Sequence, residues 1–263
     1  MPNFVDCDVF HPVASPAEKQ ALRASLGLPP DAFIVGCVAA VKKDHKRIDY
    51  LIREMREVIG YELSVISNTN NQQPITNNPY LLIAGAKTSE TPELLALAES
   101  LIPGRYKIMT DCSRARMPDL LRAMDVFVLG SLFEMMPIAL LEALGSGLPC
   151  LVHQHPVLEW MIGVAGADQL LSCPVDKLLS ESPEGSLSST TQQLNNATTL
   201  PRGGMSLDMG RPGVLAQVLA GLTPGWIAEH GRQARAQALK MFSQEAVIAQ
   251  YVAYYKRIVR CKT

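Results

Sequence analysis

Two carboxylates, Glu134 and Glu142, stand with seven residues between them inside the segment 131–149. The first falls in a connection that follows an apolar run. The second falls on the second turn of the helix that the connection opens. Pro137 suits the first helical position, where a fixed φ is helical and a missing N–H would be unpaired anyway. The N–H groups of Met136, Ile138 and Ala139 would then lie free at the helix start, an arrangement that favours a phosphate. A second concentration of charge, residues 41–47, holds Lys42, Lys43, His45, Lys46 and Arg47. Lysines at a helix start oppose the macrodipole, and a bound diphosphate would give them a reason to be there. The plain alternative is a solvated basic loop and a connection whose glutamates meet water.

Elements with the right periods are available to position these groups. A helix is expected from Pro16, behind a Ser15 cap, to about Leu26, with Gly27 ending it. Residues 32–40 form a continuous apolar run with β-branched side chains, the pattern of a strand buried on both faces. Ile48, Leu51, Ile52 and Met55 then recur at helical spacing. Further strands are expected at 80–84, 106–109, 125–130 and 150–152. Helices are expected at 92–101, 118–124, 157–162, 213–222, 224–241 and 244–259. This alternation implies an α/β fold with a doubly wound, Rossmann-like parallel sheet. The whole chain, 1–263, reads as a single domain. Two interruptions are expected: a flexible loop at 67–79 rich in Asn and Gln, and a low-complexity insertion at about 180–212.

Composition excludes several classes. Hydrophobic residues make up 48% and charged ones 19%, which fits a globular core. With 24 basic and 25 acidic residues the net charge is -1, and no basic block argues for nucleic acid. No apolar run reaches membrane-spanning length, and no secretory leader is read at the start. The six cysteines form no C-x-x-C pair, so zinc is poorly supported. Several lie within apolar runs and read as small buried hydrophobes, and a reduced, cytoplasmic compartment is expected. His153 and His155 would share one strand face, but no third ligand is evident nearby, and rim histidines are the better account. A dinucleotide site would need Gly-x-Gly-x-x-Gly directly after the first strand. A lysine-rich loop stands there instead.

The pattern Glu-x7-Glu followed by Ala-Leu-x-x-Gly-x-Pro resembles the donor-site signature of retaining glycosyltransferases of family 4, also called group 1, with the two-domain GT-B architecture. The opening residues 2–12 resemble that family's Pro-Asn-Gly-Val-Asp-x-x-x-Phe-x-Pro segment, with Phe4 where glycine is usual. The run before the last, Tyr-rich helix is also similar. The resemblance spans nearly the whole chain outside the loop and the insertion. It implies that Glu134 contacts donor-sugar hydroxyls, that Glu142 contacts the ribose, and that amides around Met136, Pro137 and Ile138 hold the diphosphate. Lys46 matches the family's phosphate-neutralising lysine. The accompanying arginine would fall near Ala40 or Val41 and is absent, leaving Lys42 or Lys43 as substitutes. The loop 111–117 lies where relatives bind the base, mostly through backbone groups.

The expectation is therefore the nucleotide-sugar-binding half of a glycosyltransferase, with Lys46 and Glu134 as its catalytic groups and no metal or other cofactor. The acceptor half is expected to lie outside this polypeptide. In complete members the last helix packs on that half, and any peripheral membrane association would come through such a partner. The rival reading is a non-catalytic module that binds a nucleotide sugar and needs a separate acceptor-binding subunit. A third is a scaffold with an empty site.

Overall fold

The computed structural model of the chain describes residues 3–66, 78–164 and 202–260. Most of the Asn-rich loop, most of the insertion, Cys173 and Cys261 lie outside these residues. The strands are β1 (Phe33–Val38), β2 (Pro79–Gly85), β3 (Tyr106–Thr110), β4 (Val126–Leu129), β5 (Cys150–His153) and β6 (Gly204–Leu207). All pair in parallel, in the order β3-β2-β1-β4-β5-β6. The helices are α1 (Pro16–Ser25), α2 (Ile48–Ile66), α3 (Thr91–Leu101), α4 (Met117–Ala123), α5 (Ile138–Gly145), α6 (Pro156–Met161), α7 (Val214–Ala220), α8 (Pro224–Gln237) and α9 (Gln244–Arg260). The doubly wound sheet expected from the sequence is the sheet observed.

Alternation along the buried strands sends side chains to two separate cores. Ile34, Leu82, Phe127 and Leu129 face the layer that holds Leu120, Leu140, Leu158 and Phe242. Val35, Leu81, Ile83 and Val128 face the layer of Ile48, Leu94 and Leu215. Two buried charges lock helices to this frame. Glu54 of α2 accepts from the Gly213 and Ala216 N–H groups at 2.7 and 2.9 Å, capping α7. Arg23 of α1 donates to Ala123 O, Pro30 O and Ala32 O, and lies 2.6 Å from Asp125.

Four expectations need correcting. The insertion does not run to 212, because Gly204–Leu207 is the sixth strand. Its Gly and Ser content hid it, yet Gly204 is needed: a Cβ there would lie 1.8 Å from Cys150 O. The Asn-rich loop ends before Pro79, which opens β2. Helix α8 stops at Gln237 and passes into a π-helical turn, Ala238–Phe242, instead of continuing to residue 241. His155 leaves the β5 strand and forms the N-cap of α6, so it does not share a strand face with His153.

On α9, Val247 is buried, whereas Ile248, Tyr251, Val252 and Tyr255 are exposed. Cys37 and Cys150 are buried, as small hydrophobes would be, while Cys7 and Cys112 are half-buried. Among the described residues, no helix is long and apolar enough to cross a membrane.

Candidate functional site

Strand order reverses between β1 and β4, whose loops therefore diverge and leave a crevice at the carboxyl ends of the strands. The β1 loop carries Lys46 and the β4 loop carries Glu134. Backbone pairing extends the first loop beside β2, with Ala39 N donating to Ala84 O and Val41 N to Ala86 O, both at 3.0 Å. Gly85 permits this approach, since a Cβ there would lie 1.8 Å from Ala39 O. The chain then turns sharply. His45 and Arg47, on either side of Lys46, take left-handed φ values of 35° and 55°, which non-glycine residues seldom adopt. Leu132 N donates to His45 O at 2.9 Å and ties the two loops together. Arg47 donates to Met209 O at 2.5 Å and lies over the Tyr50 ring.

This frame brings the two sequence-predicted charges into contact: Lys46 Nζ lies 2.5 Å from Glu134 Oε1. Their side chains are 19% and 10% exposed, so the pair is largely withdrawn from water. Cys37 lies beneath it, fully buried. Burial pushes its thiol up to about 12, with Lys46 pulling the other way.

Helix α5 starts one residue later than expected. Pro137 is its N-cap, with an extended ψ of 120°, and Ile138 is its first helical residue. The extended cap lets Pro137 O accept from Leu140 N and Leu141 N. Among the described residues, the N–H groups of Met136, Ile138 and Ala139 donate to no protein acceptor. They leave the start of the helix open, an arrangement that favours an anion.

Glu142 is on the second turn of α5 and buried, at 6% exposure. Burial raises its carboxyl above the ordinary range, and the Arg114 guanidinium, 3.7 Å away, pulls it partly back. Arg114 was not singled out from the sequence. It belongs to the loop after β3, and only the fold brings that loop beside α5, so no local pattern could mark it.

The proposed substitutes for the missing arginine point elsewhere. Lys43 Nζ binds Glu93 at 2.7 Å and Lys42 sits 3.7 Å from Asp44. Val41 is fully buried, so no charge could stand there. Phe4, at the glycine-like position, is exposed, and its neighbour Asn3 donates to Met136 Sδ at 3.1 Å. Glu159 accepts from Ser206 at 2.7 Å and joins α6 to β6. His153 stands at the rim, its imidazolium disfavoured by burial and by Arg47. No group of three metal-ligating side chains converges among the described residues.

Known proteins are similar to this chain in sequence and in fold. A putative glycosyltransferase, EpsF of Bacillus subtilis, is 28% identical over 155 residues, covering 58% of this chain and 35% of that protein. The D-inositol 3-phosphate glycosyltransferase 2 of Catenulispora acidiphila is 30% identical over 146 residues, 55% of this chain and 32% of that one. The chain thus matches about a third of the length of these relatives. Among solved structures, Anabaena HepE in complex with UDP and glucose superposes with a TM-score of 0.66 at 16% identity, over 97% of this chain and 55% of that one. The C-terminal domain of LpcC, a group 1 glycosyl transferase from Francisella tularensis, superposes with a TM-score of 0.59 at 13% identity, over 91% of this chain and 99% of that one. These two likenesses show the fold. The family model described as glycosyl transferases group 1 matches residues 32–178, more than half of the sequence. By that match, the chain belongs to the glycosyl transferases group 1 family.

Proposed function

We propose that this chain is the C-terminal, donor-binding half of a retaining, family 4 glycosyltransferase of GT-B architecture. Its substrate is a nucleoside diphosphate sugar. The observation that carries the reading is the Lys46–Glu134 contact at the point where strand order reverses, beside the open start of α5. Lys46 and the amides of Met136 and Ile138 hold the diphosphate. Glu134 orients the sugar through its hydroxyls, and Glu142, steadied by Arg114, holds the ribose. In the transfer step the bond from the anomeric carbon to the diphosphate oxygen breaks. A bond from that carbon to an acceptor hydroxyl oxygen forms, and the hydroxyl proton passes to the departing diphosphate oxygen. Negative charge builds on the departing diphosphate, where Lys46 and the amides stabilise it. Contacts at remote hydroxyls fix the reacting carbon in place. No metal is assigned to this step.

Transfer needs an acceptor-binding wall on the other side of the cleft. The exposed face of α9, with Ile248, Tyr251, Val252 and Tyr255, suits contact with such a domain or subunit. HepE, whose fold this chain shares, is solved in complex with UDP, which supports a nucleotide ligand here. Calorimetric titration of the chain with UDP-, GDP- and ADP-sugars tests the reading. One donor is expected to bind at a single site, and Lys46→Ala and Glu142→Ala are each expected to weaken it by about tenfold or more. Unchanged binding in both variants would remove the site assignment. Transfer by the purified chain alone would remove the requirement for an acceptor-binding partner.

A further inference from the structure

The lysines of the β1 loop are paired before any ligand arrives. Lys46 lies 2.5 Å from Glu134, Lys43 lies 2.7 Å from Glu93, and Lys42 lies 3.7 Å from Asp44. A diphosphate brings more than one negative charge, and Lys46 with its own carboxylate beside it is a thin counterweight.

Arg114, across the crevice, is in a different condition. Its side chain is 79% exposed. Among the described residues it donates no side-chain hydrogen bond, and its ionic neighbour is Glu142 Oε1 at 3.7 Å, beyond hydrogen-bond reach. The guanidinium is therefore free to turn. Glu142 is equally short of partners. It is 6% exposed, and its carboxylate accepts no hydrogen bond from the described residues, although buried polar groups as a rule do. Neither of its oxygens is sealed from solvent, so a ligand can reach them.

The helix places this pair. Glu142 follows Ile138 by four residues, so the two share a face of α5 with roughly 6 Å of helix between them. Side chains on a helix slant back toward its start. The Glu142 carboxyl thus leans over the first turn, and the guanidinium beside it stands near the open N–H groups of Met136, Ile138 and Ala139. Resting on the donor-binding reading of this crevice, we propose that Arg114 is a ligand of the diphosphate. When a donor enters, the ribose hydroxyls donate to Glu142 and supply the hydrogen bonds it lacks. Arg114 exchanges one loose ionic contact for charge-assisted, forked hydrogen bonds to the diphosphate oxygens. The electron pair released as the bond to the anomeric carbon breaks then collects on oxygens flanked by two cations, Lys46 and Arg114.

Calorimetry on the 263-residue chain tests this with UDP, GDP and ADP. Arg114→Gln is expected to weaken the tightest of the three about tenfold, and Arg114→Lys to recover part of the loss. Both variants should fold, because the side chain is largely exposed. Arg116→Gln removes the same charge from the same turn, where no carboxylate faces it among the described residues, and should leave affinity near that of the unmodified protein. The Glu142→Gln background separates the two ways in which Arg114 could act. A ligand of the diphosphate still costs about tenfold when removed there, whereas a residue that only holds Glu142 costs nothing. Loss of the effect in that background, unmodified affinity in Arg114→Gln, or an equal loss in Arg116→Gln would each overturn the proposal. If none of the three diphosphates binds the unmodified protein, the donor reading falls and this role falls with it. If one binds and Arg114→Gln binds it as tightly, the donor reading stands and the role of Arg114 alone is refuted.

Discussion

Replacing Glu134 by glutamine is expected to tighten the binding of UDP, although it removes a charge from the donor crevice. Lys46 Nζ lies 2.5 Å from Glu134 Oε1 in a pair whose side chains are 19% and 10% exposed. The gross attraction at that distance is about 6.6 kcal/mol at an effective dielectric of about 20, and about 1.7 kcal/mol at the dielectric of water. Hydration of the separated charges cancels most of it. Exposed pairs yield about 0.2–1 kcal/mol net, and breaking a fully buried one costs about 3–5 kcal/mol. A pair this far withdrawn falls between, at about 1.5 kcal/mol. A diphosphate that recruits Lys46 must offset that amount, and it also meets the carboxylate's repulsion. Glutamine keeps an acceptor for Lys46 but removes the charge. UDP affinity should therefore rise about tenfold, since about 1.4 kcal/mol corresponds to a factor of ten. UDP-glucose should gain less, because its sugar uses the carboxylate. Titration of both ligands at two ionic strengths reads the effect, and the gain should shrink in high salt. UDP binding to Glu134→Gln no tighter than to the unmodified protein would refute the role given to Lys46.

Glu142 should trade stability for binding. Its carboxyl is raised from 4.5 in the folded protein, chiefly by burial. The folded form thus keeps its proton to higher pH than the unfolded form, and stability present below 4.5 is lost as pH rises through the raised value. Scanning calorimetry of Glu142→Gln should show Tm higher by about 2 °C at pH 7, with no gain in acid, while donor affinity drops. Gly85→Ala should lower the stability seen in urea unfolding by about 3 kcal/mol, and donor affinity with it, because the displaced Ala39 backbone leads into the Lys46 turn. Donor affinity should be the same in EDTA as in magnesium, since charge neutralisation is assigned to Lys46 and backbone amides.

Much of this fold is legible because a parallel strand covered on both faces must be apolar along its whole length. Residues 33–38, 79–85 and 126–129 announce themselves in that way. β6 does not, because an edge strand bonded on one side tolerates Gly204 and Ser206, and it adjoins a polar tract. The Lys46–Glu134 contact could be anticipated from two loops at the ends of buried strands, once those strands were neighbours. Pro137 was misplaced by one position because proline suits both a first helical residue and an extended cap, and only the ψ angle separates them. Lys42 and Lys43 looked like phosphate ligands by charge alone. Their real partners, Asp44 and Glu93, depend on how the turn folds and where α3 lands. Arg114 reaches Glu142 only after the β3 loop and α5 have been assembled side by side.

The turn around Lys46 has an energetic meaning. Holding His45 and Arg47 at positive φ costs on the order of 1–3 kcal/mol each, and cohesion of the whole domain supplies it through Leu132, Met209 and Tyr50. The ammonium is thus aimed by folding itself, and an arriving ligand need not immobilise it. Glycine at either flank would relax the backbone and give a hardier protein whose anchor wanders.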